Sequence, residues 1–132
     1  MKITPEHIAV FRAAGACTAG IDEADRVGEY HLLRVDYRRW VACSSKAPPS
    51  VLAELARDAD LEVRRWVASN PNTPGDVLVE LGRDAYAYVR YCVASNRSTP
   101  PSVLAELARD ADKSVRYCVV RNKNAPRDAL CV

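Results

Sequence analysis

Apolar residues recur at helical spacing along most of the chain. Val63, Trp66 and Val67 stand at i, i+3 and i+4, and Val77, Leu78 and Leu81 resume that spacing after a short polar break. The pattern predicts two short helices, near 62–69 and 74–82. It returns with a period of 26 residues: VRRWVASNPNTPGDVLVELGRDAYAY at 63–88 is followed by VRYCVASNRSTPPSVLAELARDADKS at 89–114. A fourth copy begins at Val115 and an earlier one at Tyr37, in which residues 48–60 repeat residues 100–112 letter for letter. Periods in this range signal stacked repeats. The β-branched residues fall at helical spacing and never alternate, so no strand is predicted. The fold class that follows is all-α, a solenoid of about three and a half 26-residue helical repeats over 37–132, divided as 37–62, 63–88, 89–114 and a partial 115–132.

The punctuation between helices is equally regular. Asn70, Asn96 and Asn122 end the first helix of their copies, with Ser44 in the first, and asparagine tolerates the left-handed backbone that closes a helix. Thr73-Pro74 and Thr99-Pro100 read as capped starts of the second helix, whereas Ala47 and Ala125 lack the hydroxyl. Fraying is therefore expected in the outer copies. The position of Trp66 is Trp40, Cys92 and Cys118 elsewhere, a loss of volume that the packing must absorb. Residues 1–36 lie outside the register. Helices at about 4–14 and 18–27 are expected there, as an N-terminal helical cap over the first repeat's apolar face.

Composition narrows the function without naming it. The chain has 132 residues, enough for one domain, and a formal net charge of +2, which points neither to a nucleic-acid coat nor to an acidic solvating protein. No apolar run approaches the ~20 residues of a membrane span. The opening MKITPEHIAV lacks a signal-peptide core, so a cytoplasmic location is expected. Five cysteines are present and no CxxC pair. Cys92 and Cys118 share a repeat position. Stacked helices sit about 8–10 Å apart, whereas a disulfide wants Cα atoms within about 7 Å. The two thiols should be reduced, buried and stacked. His7 and His31 have no ligand spacing to a Cys or carboxylate, and a Cys17–His31 pair has no orienting acid. With no Gly-rich phosphate loop, GxSxG or HExxH, we expect no catalytic residue, metal or cofactor. Glu54, Glu80 and Glu106 read as solvated on the outer face of the second helix.

The string VR-xx-VA-x-N-xx-TP-xx-VL-xx-L-xx-D resembles the leucine-rich repeat variant family over residues 37–132. The resemblance implies a right-handed α-solenoid that pairs an α-helix with a shorter, often 3₁₀, helix and contains no sheet. Asp58-x5-Arg64, recurring as Asp84 with Arg90 and Asp110 with Arg116, also resembles the Asp/Arg pair of HEAT repeats. That likeness implies a ladder of side chains along the stack, with each Arg served by the Asp six residues upstream. Arg38 departs, because Leu32 stands at that distance. One member of the variant family carries an iron–sulfur cluster in a cysteine-rich N-terminal segment. Only Cys17 precedes the repeats here, too few for a four-thiolate cluster.

These readings point to a non-enzymatic scaffold that grips another protein along its concave face. An immunity protein, an antitoxin or a regulatory binding protein would be instances. In HEAT-like arrays the helix after the Asp-to-Arg turn lines that face. With Val63, Trp66 and Val67 directed inward, Arg65, Ala68 and Ser69 should face out. Stacking the copies gives one column of Arg39, Arg65, Tyr91 and Tyr117, and another of Cys43, Ser69, Ser95 and Arg121. Tyr88 clusters with Tyr86 and Tyr91 at the join between repeats. The candidate partner-binding residues are Arg39, Arg65, Ser69, Tyr88, Tyr91, Ser95, Tyr117 and Arg121, an aromatic and arginine composition typical of interfaces. The alternative is a nucleic-acid-associated module. Lys113, Arg121, Lys123 and Arg127 form a basic C-terminal patch, with Arg116 assigned to the ladder.

Overall fold

A computed structural model describes residues 35–131. Seven helices follow one another: α1 Val35–Cys43, α2 Pro49–Leu55, α3 Leu61–Ser69, α4 Gly75–Leu81, α5 Ala87–Ser95, α6 Pro101–Leu107 and α7 Lys113–Arg121. A 3₁₀ turn, Arg127–Cys131, closes the series. There is no strand among the described residues. Nine-residue helices alternate with seven-residue ones, one of each per repeat. The short partner is an α-helix in the three complete repeats, and takes the 3₁₀ form only in the fourth. The expected N-terminal cap lies outside the described residues.

The apolar stripes meet in one continuous core. Val51, Leu52, Leu55, Val77, Leu78, Leu81, Val103, Leu104 and Leu107 are buried from the short helices, and Val63, Val67, Val89, Val93, Val115 and Val119 from the long ones. Ala42, Ala68 and Ala94 are buried too. The expectation that Ala68 faces out is therefore wrong. A methyl group at this position lets the next long helix pack directly against the backbone. Consecutive long helices, α1 on α3, α3 on α5 and α5 on α7, form a close-packed layer, while the short helices touch mainly the long helices on either side. The layer of α1, α3, α5 and α7 is the one that the HEAT-like reading expects on the inner side, and it is termed the inner layer.

Buried asparagines stitch that inner layer together. The Asn70 side-chain amide donates to the carbonyls of Ala42 and Ser44 in the preceding repeat, at 2.8 and 2.9 Å. Asn96 donates to Ala68 and Asn70 at 2.7 and 3.0 Å, and Asn122 to Ala94 and Asn96 at 2.8 and 2.9 Å. Each Asn Oδ1 accepts the backbone N–H two residues on, from Asn72, Ser98 and Asn124. Both amide hydrogens and the carbonyl oxygen are thus engaged. These residues do not adopt the left-handed backbone. Their φ values of −75°, −74° and −78° with ψ near 125–130° are extended. Asparagine is there for its amide, which must reach across a layer, and not for its tolerance of positive φ.

The threonines were also misread. Thr73 and Thr99 are buried, and their hydroxyls donate backward to the carbonyls of Val67 and Val93, both at 2.6 Å. The caps of the short helices are Pro74 and Pro100, with no side-chain bond. Thr satisfies the orphan carbonyl at the end of the long helix instead. Side-chain capping occurs at the long helices. Asp60 accepts from Glu62 and Val63, and Asp112 from Ser114 and Val115. In the intervening copy Tyr86 stands at that position and supplies no such bond.

A second ladder runs along the side of the stack, with a geometry other than the expected one. The carboxylate partner of each Arg lies twenty residues downstream, in the turn that leads into the next long helix: Arg38–Asp58 at 2.6 Å, Arg64–Asp84 at 2.7 Å and Arg90–Asp110 at 2.7 Å. Each contact is two-pronged. The Asp six residues upstream serves through its backbone: Arg64 donates to the Asp58 carbonyl and Arg90 to the Asp84 carbonyl, each at 2.8 Å. Arg38 is consequently paired in the ladder, although Leu32 stands six residues before it. The outer glutamates are likewise paired between repeats, Arg57 with Glu80 and Arg83 with Glu106, at exposed positions where such pairs contribute little.

Two outcomes follow. Tyr86→Asp restores the missing cap of α5 and should raise unfolding free energy by about 1 kcal/mol in urea titrations. The second concerns acid. The Arg90 hydrogen bond holds the Asp110 carboxyl below its ordinary value. A depressed folded value stabilises fully above the unfolded value and is lost as pH falls through the folded one. Arg90→Gln should therefore cost about 2 kcal/mol near pH 7, with the gap to the parent narrowing as pH falls through and below the ordinary carboxylate range, down to the share of the Asp84 and Ala85 carbonyl bonds. A gap of constant size across that range would refute the assignment.

Candidate functional site

The exposed side of the inner layer carries the predicted columns, but its two halves differ. In the first half the arginines have structural work. Arg39 forms a two-pronged contact with Asp60, at 2.9 and 3.4 Å. Arg65 lies flat over Trp66, 4.3 Å from the ring centroid, and its side chain is bonded to Glu62 at 2.7 and 2.9 Å. Only 18% of the Arg65 side chain remains exposed. Trp40 and Trp66 are half-buried against the core rather than within it. An indole too wide for the closely spaced inner layer leans outward, and in the α3 repeat the guanidinium roofs it. Ser69 is exposed beside this group.

In the second half tyrosines replace arginines and thiols replace indoles. Tyr88 and Tyr117 are 54% and 60% exposed. Tyr88 stacks on Tyr91 with centroids 5.8 Å apart, and Arg65 approaches the Tyr88 ring at 5.5 Å. Arg121 donates to the Tyr117 hydroxyl at 2.9 Å, a bond that raises the guanidinium pKa further. Ser95 is exposed and bonds back to the Tyr91 carbonyl at 3.0 Å. The structure thus brings Tyr88, Tyr91, Ser95, Tyr117 and Arg121 into one continuous surface. Arg65 adjoins it at Tyr88, while Arg39, on α1, is not brought into it.

The cysteines beneath are free and buried, Cys92 and Cys118 in successive repeats, while the free thiol of Cys43 is exposed. Burial pushes the Cys92 thiol pKa up, against a smaller opposing effect of the Ser69 hydrogen bond. It stays a neutral thiol rather than a nucleophilic thiolate. A hydrogen bond with Cys118 raises the Tyr91 phenol. Two recesses flank Tyr91 between α5 and α7. One, of about 370 Å³, is lined by Tyr91, Ser95, Tyr117, Cys118, Arg121 and Asn122. The other, of about 320 Å³, is lined by Ala87, Tyr88, Tyr91, Asp112 and Ser114. Cys118 and Asn122 were absent from the predicted site. The Trp-to-Cys change at one repeat position was the signal that could have found them.

At the C-terminal end, Arg116 keeps its bonds to the carbonyls of Asp110 and Ala111, at 2.6 and 3.0 Å, and has no carboxylate partner among the described residues. It is not neutralised as its ladder assignment implied, and it joins exposed Lys113, Arg121, Lys123 and Arg127. Among the described residues no group of three or more His, Cys, Asp or Glu is placed to hold a metal ion. No helix described is long and apolar enough to cross a membrane.

The family model of the leucine rich repeat variant matches residues 61–85, a span that corresponds to the α3–α4 repeat. No curated protein and no solved structure matches the chain.

Proposed function

We propose that this chain, which carries the leucine rich repeat variant repeat, is a non-enzymatic scaffold that binds another protein along the exposed face of its long helices. One observation supports this above all. Tyr88 and Tyr117 stand more than half exposed on the inner layer, in a fold whose layers are already joined by asparagine and arginine ladders. Large aromatic surface with a polar tip, left outside the packing, is the composition of interface hot spots. Its distribution agrees. Apart from the Trp-to-Cys column, the core columns keep their size and polarity from copy to copy, while the exposed columns run from Arg39 and Arg65 to Tyr91 and Tyr117.

A second reading is supported by Arg116. With its guanidinium open on one edge, five cations gather at the C-terminal end, enough for weak, salt-dependent contact with a phosphate backbone. Binding that vanishes with nuclease treatment or modest salt would favour it over the first.

Tyr91→Ala combined with Tyr117→Ala should weaken the complex by about 2 kcal/mol or more in a chain that still folds, with a modest fall in thermal midpoint because Tyr91 packs partly against the core. Calorimetry against the partner isolated on the immobilised chain checks this. Undiminished affinity in the double variant would move the interface off the tyrosine surface.

A further inference from the structure

The recess between α5 and α7 exists because of one substitution along the repeat. In α3 the position of Cys118 is Trp66, and the indole with Arg65 above it occupies the corresponding space. At α7 the residue is a thiol, the neighbouring arginine has become Tyr117, and about 370 Å³ is left open. That is within the range of about 300–1,000 Å³ typical of small-ligand pockets. Its walls are the Tyr91 and Tyr117 rings, its floor is the buried Cys118, and its one formal charge is Arg121. No carboxylate lines it. Arg121 gives Nη1 to the Tyr117 hydroxyl, which leaves Nε and Nη2 side by side, the geometry that receives a carboxylate two-pronged. The same chain fills that geometry with aspartate four times, at Arg38, Arg39, Arg64 and Arg90.

We propose, resting on the protein-binding reading, that this recess takes an anchor from the partner protein. The anchor is an aromatic side chain held between Tyr91 and Tyr117 above Cys118, followed by an acidic residue whose carboxylate meets Arg121. The rings and thiol supply an apolar slot, and the single cation at its rim fixes the direction in which the segment lies. A nucleic-acid strand fits less well. Beyond Tyr91 the groove continues into the second recess, where Asp112 would face its phosphates.

The probes are capped Ser-Phe-Asp-Ser, Ser-Phe-Asn-Ser and Ser-Phe-Lys-Ser peptides, titrated into the full chain and followed by NMR at the Tyr91 and Tyr117 rings. The Asp peptide should shift both rings with a dissociation constant of about millimolar, and the Asn peptide should bind about tenfold more weakly. Arg121→Gln should make the two bind alike. Cys118→Trp should abolish the shifts, since it installs the side chain the fold already accepts at Trp40 and Trp66. An unchanged thermal midpoint confirms that the variant is folded, and Arg121→Gln tests the proposal independently if it is not. Equal binding of the Asp and Lys peptides, ring shifts that survive in folded Cys118→Trp, the absence of any shift, or stronger shifts from a short oligothymidylate would each overturn the proposal. Failure here together with loss of partner binding in the Tyr91/Tyr117 double variant removes the anchor but leaves the protein-binding reading standing. Intact partner binding in that double variant moves the interface off the tyrosine surface, and the anchor site with it.

Discussion

Everything in the inner layer depends on a buried side-chain amide reaching across to the repeat before it. Asn70, Asn96 and Asn122 each satisfy two carbonyls of the preceding layer and one N–H of their own turn. A short side chain can span that gap only if the helices approach closely, and the alanines at 42, 68 and 94 permit the approach. Leaving such carbonyls unpaired in the interior would cost roughly 1–3 kcal/mol each. The amide therefore fixes spacing and register together. The Arg–Asp ladder on the flank repeats the same logic with charge: Arg64 and Arg90 each join a backbone carbonyl in the turn before their own long helix to a carboxylate in the turn before the next.

This division of labour bears on function. A stack whose register is set by buried amides and flanking ion pairs leaves the outer side of its long helices free to vary. Where that side carries Arg65 over Trp66, it closes on itself. Where it carries Tyr91, Tyr117 and buried thiols, it stays open, with recesses on either side of Tyr91. A change of one residue type along a repeat position converts a covered surface into a concave one without disturbing the ladders beneath.

The period and the apolar stripes made the architecture legible in the sequence, because helical spacing and burial are properties of single elements. The long and short helices lie close to where the pattern of Val63, Trp66, Val67 and Val77, Leu78, Leu81 put them. What failed were relations between repeats. The Asn role, the Thr73 and Thr99 bonds and the partner of each Arg all depend on which layer a polar group faces, and spacing within one copy does not encode that. The carboxylate that the repeat spacing assigns to Arg64 is that of Asp58, while its partner in space is Asp84. Ala68 was misplaced for the same reason. A helical wheel marks it as flanking, and only the neighbouring helix buries it. Half of the candidate site was legible as an exposed column. Its concavity was not, since it arises from the volume missing at Cys118.

The asparagine ladder is tested most directly by hydrogen exchange at the side-chain amide of Asn96, followed by NMR on the intact chain. Both of its hydrogens are engaged with the Ala68 and Asn70 carbonyls, so they should exchange only with opening of the stack, as slowly as the core backbone amides of α5. The side-chain amide of asparagine in a short unstructured peptide supplies the fast reference. Exchange at Asn96 as rapid as in that peptide would contradict the account, because the layers would then be held together by something else.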